Sequence, residues 1–354
     1  MNRYRIHLLA LPNAQTTKEY SLDGFAMCTM RFAKLMKGLG HHVILYGSEE
    51  NEAPCDEFVS CISKADQETL LGESEYQHAA IDDRYPLWQM ANVKMAIEVK
   101  RRKQPKDFLC MIGGASQKYV SDAHKDLMCV EYSIGYEGAF SEYRVYESQI
   151  WRHWMHGHQK MGDGRFFDAV IPVFFDPEDF PVCYEPEDYF VYCGRYVTRK
   201  GVAIACDAAK TAGVKLKCIG HAKECLPTYG ENLGGVPAHV RNEVISKAKA
   251  VFTPTMYVEP FCCVAVEAQM CGTPVISTDF GGFVETVEHG KTGYRCNYLG
   301  EFVQAIKDID KIDRRYVRQR AVEKYSMQVA TPLYQQYFDR LNLLWNGGWN
   351  SLHK

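Results

Sequence analysis

The segment VFTPTMYVEPFCCVAVEAQMCGTPVISTDF, residues 251–280, decides the fold. Its two apolar runs, 251–255 and 273–280, are typical of strands buried on both faces, and an apolar run of helical length lies between them. A strand, a helix and a second strand in this order predict one repeat of a parallel sheet. Pro260 suits the first helical position, so we expect the helix to begin there and Glu259 to lie in the loop before it.

Two acids mark the ends of this central run. A helix that starts after Glu259 would present the first-turn N–H groups of Phe261, Cys262 and Cys263, a natural site for an anion such as phosphate. Glu267 follows two turns later on a helix that is apolar nearly all round. A pair of ligand hydroxyls would satisfy its carboxylate. The alternative is that Glu259 complements the helix dipole and that Glu267 is exposed at a rim.

The same alternation of strand and helix extends in both directions along the chain. In the amino half we predict strands at 5–12, 42–47, 107–114, 126–133 and 168–174, and helices at 25–40 and 86–103. In the carboxyl half we predict strands at 189–195 and 214–220, and helices at 200–213 and 237–250. Apolar strands separated by helices indicate parallel sheets that are covered on both faces.

The sequence therefore predicts an α/β fold with two Rossmann-like, doubly wound parallel-sheet domains facing a cleft. The proline- and acid-rich stretch 174–189 reads as the connection between them. We place the first domain at 1–175, the second at 176–330 and a C-terminal helix at 331–354, which is expected to pack back on the first domain. Sheets of this kind bind ligands beyond the carboxyl ends of their strands.

Composition narrows the class of protein. The 354 residues are 46% hydrophobic and 24% charged, as in a globular protein, and the net charge of −3 gives no global basic field for nucleic acid or an anionic membrane. No run approaches the ~20 apolar residues of a membrane span. The apolar run at the N-terminus is too short for a signal peptide, and the 14 cysteines include no C-x-x-C pair. We therefore expect a cytoplasmic protein with reduced thiols.

The segment YCGRYVTRKGV, residues 192–202, places two cations near the predicted anion site. Arg195 follows a strand directly, and Lys200 stands at the start of the next helix. An arginine can contact two phosphate oxygens at once and a lysine adds a point charge, so the pair could cradle a diphosphate. Taken alone, such a pair is more often solvated surface charge.

Together these segments resemble glycosyltransferase family 4. Residues 252–294 contain, in order, the E-x7-E motif from Glu259 to Glu267, the run CGTPVIS, a GG…E element and the run GKTGY. CGRYVTRKG at 193–201 is similar to the GR…KG segment of that family, and residues 16–47 resemble its first βαβ unit. The resemblance implies the GT-B fold and a retaining transferase that uses a nucleotide sugar without a metal ion.

By this resemblance, Glu259 would be the catalytic residue, facing the donor sugar near its reacting carbon. Glu267 would bind the ribose hydroxyls and Arg195 and Lys200 the diphosphate. The distal phosphate would lie on the N–H groups of Phe261, Cys262 and Cys263. No cofactor is implied beyond the donor, expected to be UDP- or GDP-linked. The amino domain would bind the acceptor: a saccharide, a lipid-linked glycan, a protein or a modified nucleobase. A nucleotide-sugar epimerase and a non-catalytic sugar- or nucleotide-binding module remain alternatives.

The sequence departs from the family pattern at two places. Cys262 stands where the family usually has glycine, and the stretch CVEYSIGYEGAF, 129–140, lacks a histidine that the family often carries there. Tyr136 and Glu137 are candidates to replace that histidine, although a turn role is an alternative. In the amino half, Gly24 could let the backbone approach the donor, whereas Asp23 could simply cap the helix that follows.

Three further patterns have simple structural explanations. His153, His156 and His158 could bind zinc, but an aromatic helix end is the simpler interpretation. The basic run KRRKQPK, 100–106, is typical of a solvated helix end and less often contacts an acceptor or a lipid surface. The turn IGGAS, 112–116, lacks the G-x-G-x-x-G spacing, so it does not support a nicotinamide site.

Overall fold

The chain folds as two compact units in a computed structural model that describes residues 2–72, 76 and 79–345. The first unit comprises Met1–Glu147, Met155–Ile171 and Ala330–Lys354, so far as these are described. The second comprises Ser148–Trp154 and Pro172–Val329. Residues 346–354 of the predicted C-terminal helix lie outside the described part of the chain.

The first unit is built on a parallel sheet with seven strands within the described residues. These are β1 (Arg5–Leu9), β2 (His42–Ser48), β3 (Glu57–Ile62), β4 (Phe108–Met111), β5 (Met128–Ile134), β6 (Tyr143–Tyr146) and β7 (Ala169–Val170). They lie in the order β3-β2-β1-β4-β5-β6-β7, so the direction of winding reverses between β1 and β4. The apolar runs in β1, β2 and β4 are buried, as strands covered on both faces require.

The helices of the first unit begin where the sequence supplies a suitable first turn. They are α1 (Gly24–Gly38), α2 (Lys64–Leu71), α3 (Pro86–Arg102) and α4 (Lys118–Asp122). The Asp23 carboxylate accepts hydrogen bonds from the N–H groups of Phe25 and Ala26, so it caps α1. Pro86 stands at the first position of α3, where its missing N–H costs nothing. Helix α5 (Gln149–His158) crosses the division between the units.

The second unit has a six-stranded parallel sheet across residues 172–329, all of which are described. The strands are β8 (Phe190–Cys193), β9 (Leu216–Ile219), β10 (Glu231–Gly234), β11 (Val251–Thr253), β12 (Val275–Thr278) and β13 (Gly293–Cys296). Their order is β10-β9-β8-β11-β12-β13, so the winding reverses between β8 and β11. The helices are α6 (Val202–Ala212), α7 (Ala238–Lys247), α8 (Cys263–Met270), α9 (Phe283–Thr286), α10 (Leu299–Asp308) and α11 (Arg314–Tyr325).

One core cluster of the second unit shows why its helices lie close to the sheet. The buried aromatic side chains of Phe190, Tyr192 and Phe252 come from β8 and β11 and pack in a cluster that includes Ala205 of α6 and Phe302 of α10. Alanine on α6 lets that helix approach large strand residues without overfilling the interior, which is packed to crystal-like density.

The C-terminal helix α12 (Met327–Leu344) contributes residues from 330 onward to the first unit. The ring of Tyr334 packs edge-on against Phe32 with centroids 5.2 Å apart, and the ring of Phe338 packs edge-on against Phe108 at 5.0 Å. Tyr4 Oη donates a hydrogen bond to the Asp339 carboxylate. The last helix thus packs its aromatic side chains against α1 and β4 of that unit.

The predicted fold class of two Rossmann-like, doubly wound parallel sheets is confirmed. The strand expected at 168–174 is wrong in length, because only Ala169 and Val170 pair, on the edge of the sheet beside β6. Strands β3, β6, β10 and β13 were not singled out by the sequence patterns. All fourteen cysteines fall in the described part of the chain and are free thiols. Among the described helices, none is long and apolar enough to span a lipid bilayer.

Candidate functional site

The reversal between β8 and β11 creates the position in the second unit where a ligand would bind. Strands that wind away from each other leave a crevice beyond their carboxyl ends, and polar groups on the loops that follow them line it. The loop after β8 covers 194–200, and the loop after β11 covers 254–262. These two loops contain half of the site residues that the sequence predicted, and α8, which follows the second loop, contains Cys263 and Glu267.

The loops after β8 and β11 are tied together through backbone groups. Gly201 has a φ of +72°, and a Cβ there would lie 2.0 Å from the carbonyl oxygen of Pro254, so only glycine fits. The N–H of Met256 donates to the carbonyl of Arg199 at 2.7 Å. These contacts bring Lys200, on the first loop, beside residues of the second.

Lys200 and Glu259 form an ion pair at this point. Lys200 Nζ donates to Glu259 Oε2 at 2.7 Å, and their side chains are 19% and 9% exposed. Burial acts to lower the pKa of Lys200, but the charge of Glu259, together with Tyr257, Cys262 and the hydrogen bond to Glu259, acts in the opposite direction, and the pKa is raised. The ring of Tyr257 lies 5.1 Å from Lys200 Nζ, close enough for a cation–π contact. The lysine is therefore held fully charged in a partly dry position.

Helix α8 begins later than the sequence predicted. The expectation that it starts at Pro260 is wrong, because Cys262 adopts a left-handed conformation with φ 66° and ψ 80° and forms the N-cap. A residue with positive φ cannot lie inside a right-handed helix, so the first helical residue is Cys263. The N–H of Phe261 is thus outside the first turn. The positive end of the helix dipole lies at 262–264.

Glu267 has a protein partner that the sequence did not reveal. Arg241 of α7 lies with its Nη2 atom 3.0 Å from Glu267 Oε2, and the two side chains are 15% and 7% exposed. The alternative that Glu267 is exposed at a rim is therefore wrong. Its carboxylate therefore does not depend on a ligand for an opposite charge.

Two cysteine thiols lie among these charges. Burial raises the pKa of the Cys262 thiol, the charge of Glu259 raises it further, and Lys200 opposes both; Glu267 also raises it. Burial raises the pKa of Cys193, at the end of β8, to about 11, against the opposing charge of Arg241. Both thiols remain protonated at neutral pH, so they are weak metal ligands and weak nucleophiles.

A glycine pair after β12 supports the segment that carries Glu259. Gly281 has a φ of +63°, and a Cβ there would lie 2.7 Å from the backbone nitrogen of Glu259. A Cβ on Gly282 would lie 2.8 Å from the Cα of Phe261, and its N–H donates to the carbonyl of Glu259 at 2.7 Å. The two glycines therefore let this loop close against the backbone on either side of Pro260.

Other cations near the site differ in their surroundings. Arg195 is exposed, and its backbone carbonyl accepts a hydrogen bond from Tyr192 Oη at 3.1 Å, which fixes the loop rather than the guanidinium. The guanidinium carbon of Arg199 lies 4.8 Å from the centre of the Tyr257 ring. Sequence reasoning missed Arg199, Tyr257 and Arg241. Tyr257 and Arg199 could have been found from their places beside Glu259 and Lys200.

The candidates in the first unit lie around the ends of β4 and β5. Tyr136 Oη donates to Glu131 Oε1 at 3.3 Å, and burial followed by the charge of Glu131 raises the pKa of Tyr136 well above its usual value. Glu137 is exposed. Gly24 is also exposed, and nothing lies within 4 Å of where its Cβ would stand, so packing does not require glycine there. The cap at Asp23 is present.

The three histidines His153, His156 and His158, for which the sequence favoured a structural role over a zinc site, lie on α5. His156 Nε2 forms a hydrogen bond with Asp168 Oδ2 at 2.7 Å, which gives it a structural partner. Across residues 2–72, 76 and 79–345, no group of three or more His, Cys, Asp or Glu side chains is placed to hold a metal ion.

The two ion pairs, Lys200–Glu259 and Arg241–Glu267, both lie in the second unit. Residues 179–313 match the family model for glycosyl transferases group 1. The matched range runs from just before β8 to the start of α11 and includes every residue of the two ion pairs. The chain thus contains a group 1 glycosyl transferase domain.

Curated relatives match about a quarter of the chain. A stretch of 103 residues is 33% identical to the probable sucrose-phosphate synthase of Thermosipho melanesiensis, covering 28% of this chain and 24% of that protein. Another of 105 residues is 32% identical to the alpha-maltose-1-phosphate synthase of Mycolicibacterium smegmatis, covering 26% and 27%. The chain spans about a quarter of the length of these curated relatives.

Solved structures match nearly the whole chain. AviGT4, a glycosyltransferase involved in avilamycin A biosynthesis, is 17% identical with a TM-score of 0.71, over 96% of this chain and 98% of AviGT4. Anabaena HepE in complex with UDP and glucose is 16% identical with a TM-score of 0.64, over 96% and 100%. At these identities the likeness establishes the GT-B fold and nothing more about the activity of this chain.

Proposed function

We propose that the protein is a glycosyltransferase that moves a sugar from a nucleoside diphosphate sugar to an acceptor hydroxyl with retention of anomeric configuration. The observation that carries this proposal is the pair of buried ion pairs, Lys200–Glu259 and Arg241–Glu267, at the switch point of the second unit. The free energy needed to remove two charges from water often exceeds the attraction between them, so buried ion pairs contribute little to stability. Charged groups in such surroundings are typical of functional sites.

The diphosphate of the donor would bind between Lys200 and the start of α8. Lys200 supplies a positive charge held in a partly dry position, where its interaction with an anion is stronger than in water. The N–H groups at 262–264 supply the positive end of the helix dipole. Arg195, which is exposed, would fold over the outer phosphate when the donor binds. Cys262 would face the donor with its backbone N–H and also occupy space beside it.

The same groups serve the chemical step. As the bond from the anomeric carbon to the diphosphate oxygen breaks, negative charge builds on the leaving group, and Lys200 and the helix end stabilise it. With retention, the acceptor oxygen attacks from the face that the diphosphate leaves. The departing oxygen is then the nearest base and takes the proton of the acceptor hydroxyl. Glu259, beside Lys200, would orient the donor sugar and offset the positive charge that develops at its anomeric carbon.

Glu267 would accept hydrogen bonds from the two ribose hydroxyls of the nucleotide. A carboxylate whose charge is already balanced by Arg241 is suited to its buried position, and its two oxygens offer acceptor capacity for these hydrogen bonds. The role of Arg241 is therefore to balance the charge of Glu267. We propose a UDP-linked donor first, because HepE, a structure of similar fold, was solved with UDP and glucose. A GDP-linked donor is the next candidate.

The acceptor would bind to the first unit. For the donor, Gly24 at the start of α1 would let the backbone approach it, and Tyr136 and Glu137, which follow β5, would take the place of the histidine that the family often carries. Acceptor hydroxyls on a saccharide, a lipid-linked glycan, a protein or a modified nucleobase would fit the same chemistry.

Titration calorimetry with UDP-, GDP- and ADP-sugars, combined with a donor-hydrolysis assay, tests the proposal. We expect one nucleotide to bind, slow hydrolysis of its sugar without acceptor, and release of that sugar with the α or β configuration it had in the donor. Lys200→Met should weaken binding of the diphosphate about tenfold or more, whereas the matched exposed lysine variant Lys307→Gln should not. A folded protein that binds none of these donors would contradict the proposal.

Product analysis separates the alternatives. Conversion of the nucleotide sugar to its epimer without acceptor would indicate an epimerase. Tight nucleotide binding with no hydrolysis or transfer to any acceptor in a saccharide panel would indicate a binding module.

A further inference from the structure

Helix α3 has an unusual distribution of apolar residues for a helix at the surface of a domain. One face packs into the first unit through buried side chains such as Leu87, Trp88 and Met95. The opposite face carries Met90, Val93 and Ile97, each of which is 45% exposed. Single exposed apolar residues are ordinary, but an apolar stripe on the solvent side of a helix needs an explanation.

The three exposed residues form a continuous stripe. With about 3.6 residues per turn, positions 90, 93 and 97 fall within a sector of roughly 60° on the helix surface. We define the α3 outer face as this stripe, Met90, Val93 and Ile97, together with the basic residues Lys94, Lys100 and Arg101. By the same spacing, Lys94 and Lys100 lie on opposite sides of the stripe, and Arg101 lies at its carboxyl end.

The charge of this region is opposite in sign to that of the whole chain. Residues 86–106 contain six cations and one acid, whereas the chain has a net charge of −3. Part of this charge is compensated: Arg101 and Arg102 both contact Glu98, and Lys103 pairs with Asp126 at 2.6 Å. Lys94, Lys100 and Arg101 are nevertheless exposed, and the Arg101 side chain is 67% exposed despite its ion pair.

We propose that the α3 outer face docks on the surface of an anionic lipid bilayer. An apolar stripe flanked by cations is the arrangement with which a helix lies in a membrane interface, because the methyl groups enter the acyl boundary while the cations contact anionic headgroups. A nucleic acid would use the cations but leave the apolar stripe in water. A short stripe of three residues gives weak, reversible attachment, in keeping with a protein whose described helices do not span a bilayer.

Sedimentation with vesicles tests this proposal. The full chain is mixed with vesicles of phosphatidylcholine alone or with phosphatidylglycerol added, at roughly millimolar lipid. We expect binding to the anionic vesicles, little binding to the neutral ones, and release as the salt concentration rises. Removing the charge with K94Q/K100Q/R101Q should weaken binding about tenfold to a hundredfold. Removing the apolar stripe with M90Q/V93Q/I97Q should weaken binding by a similar factor at every salt concentration.

A matched control uses another surface helix. Leu299 is 44% exposed on α10, and Lys307 of the same helix is exposed. The variant L299Q/K307Q removes an apolar group and a charge from the second unit and should bind vesicles as the unchanged chain does. Far-ultraviolet circular dichroism and thermal unfolding check that each variant is folded, which is expected because every substituted side chain is exposed.

Several results would overturn the proposal. The first is failure of the unchanged, folded chain to bind anionic vesicles. The second is equal loss of binding in the α10 control. The third is self-association of the chain that the stripe variant abolishes without vesicles present, which would assign the stripe to a second copy of this protein. Because vesicle binding is measured without donor or acceptor, these results do not depend on the proposed transferase activity.

Discussion

The two sheets of this protein reverse their winding in the same way, yet the loops at the two switch points are built from different chemistry. In the second unit, the ends of β8 and β11 carry the ion pair between Lys200 and Glu259. In the first unit, the ends of β1 and β4 are held by neutral amides. Gln117 Nε2 donates to the carbonyl of Ala10 at 3.0 Å, and Gln67 Nε2 donates to the carbonyl of Pro12 at 2.6 Å.

This difference distinguishes loops whose side chains stabilise the fold from loops whose side chains are suited to binding a charged ligand. Side-chain amides satisfy the backbone groups of a buried loop without any charge to desolvate, which is an economical way to stabilise it. Paired buried charges contribute little to stability but provide groups that a charged ligand can engage. This comparison supports the proposal that the donor binds at the switch point of the second unit.

The largest expected effect follows from Glu259→Ala. Transfer should fall at least about a thousandfold, because the donor sugar loses its orienting carboxylate and the charge opposite Lys200 disappears. Affinity for the free nucleoside diphosphate should change less than about tenfold, since Lys200 remains. The free energy of unfolding should fall by about 3 kcal/mol, because Lys200 stays partly buried without its partner. Steady-state kinetics, calorimetry and urea unfolding measure the three quantities.

Gln117→Ala in the first unit provides the matched control for this prediction. It leaves buried backbone groups without a partner, so it should cost about 2 kcal/mol of stability while nucleotide affinity stays unchanged. If Gln117→Ala and Glu259→Ala lowered transfer by the same factor, the distinction between the two switch points would not hold.

The second prediction concerns the pair of Arg241 and Glu267. Glu267→Gln should weaken nucleotide affinity about tenfold to a hundredfold, because a neutral amide accepts more weakly from the ribose hydroxyls, while kcat at saturating donor falls less. Arg241→Lys keeps the charge but loses the planar fork, so its effect on affinity should be in the same direction and smaller. Isothermal titration with the nucleotide and with the base-free ribose phosphate measures both.

Unchanged nucleotide affinity in both variants, with lowered stability, would mean that this pair only holds α7 against α8. Of the two ion pairs, only Lys200–Glu259 would then affect ligand binding.

The third prediction concerns the first unit, where a buried ring is held neutral. His41 is buried beside Tyr4, whose N–H donates to His41 Nδ1 at 3.4 Å, and burial lowers the pKa of His41 to about 4. In the unfolded chain the pKa is about 6.5, so between these values only the unfolded state binds the proton. Stability should therefore fall as pH drops from about 6.5 to about 4, by about 2 kcal/mol after allowing for partial solvent screening.

His41→Asn tests the cause of that acid sensitivity, since asparagine can accept the same hydrogen bond and does not titrate. Thermal unfolding of both proteins at several pH values between 7 and 4 should show a shallower decline for the variant. Equal declines would place the acid sensitivity elsewhere in the molecule.

Sequence patterns predicted most of the fold because its central strands are short, apolar and regularly spaced. The bounds of β1, β2, β8 and β11 were each predicted within a few residues, because strands buried on both faces are short, continuous apolar runs. β10 reads ENLG and its residues are partly or fully exposed, so this edge strand lacks the apolar signal. β13 has only two buried residues. Edge strands of this kind pair because of their neighbours, which a local pattern does not contain.

The site was predictable where it depends on residue type and not where it depends on tertiary packing. Glu259, Lys200 and Glu267 stood out because charged residues interrupt apolar or glycine-rich segments. Arg241 did not, because α7 carries several polar residues, and only the packing of α7 beside α8 selects Arg241 as the partner of Glu267. The start of α8 was misplaced because Pro260 is a good first residue, and the left-handed backbone at Cys262 is imposed by the surrounding loop.

The smallest expected effect comes from Cys262, where this chain carries a side chain in a conformation that favours glycine. A left-handed backbone costs a non-glycine residue about 1 kcal/mol, and glycine removes that cost but gains about as much freedom in the unfolded chain. Cys262→Gly should therefore change stability by less than about 1 kcal/mol. Cys262→Ala keeps the strain and loses the thiol, so it should be the less stable of the two by up to about 1 kcal/mol. An alanine variant more stable than the glycine variant would show that the left-handed conformation carries no cost here. The ratio of kcat/KM between two nucleotide sugars, measured for both variants, would show how far the Cys262 side chain shapes the donor site.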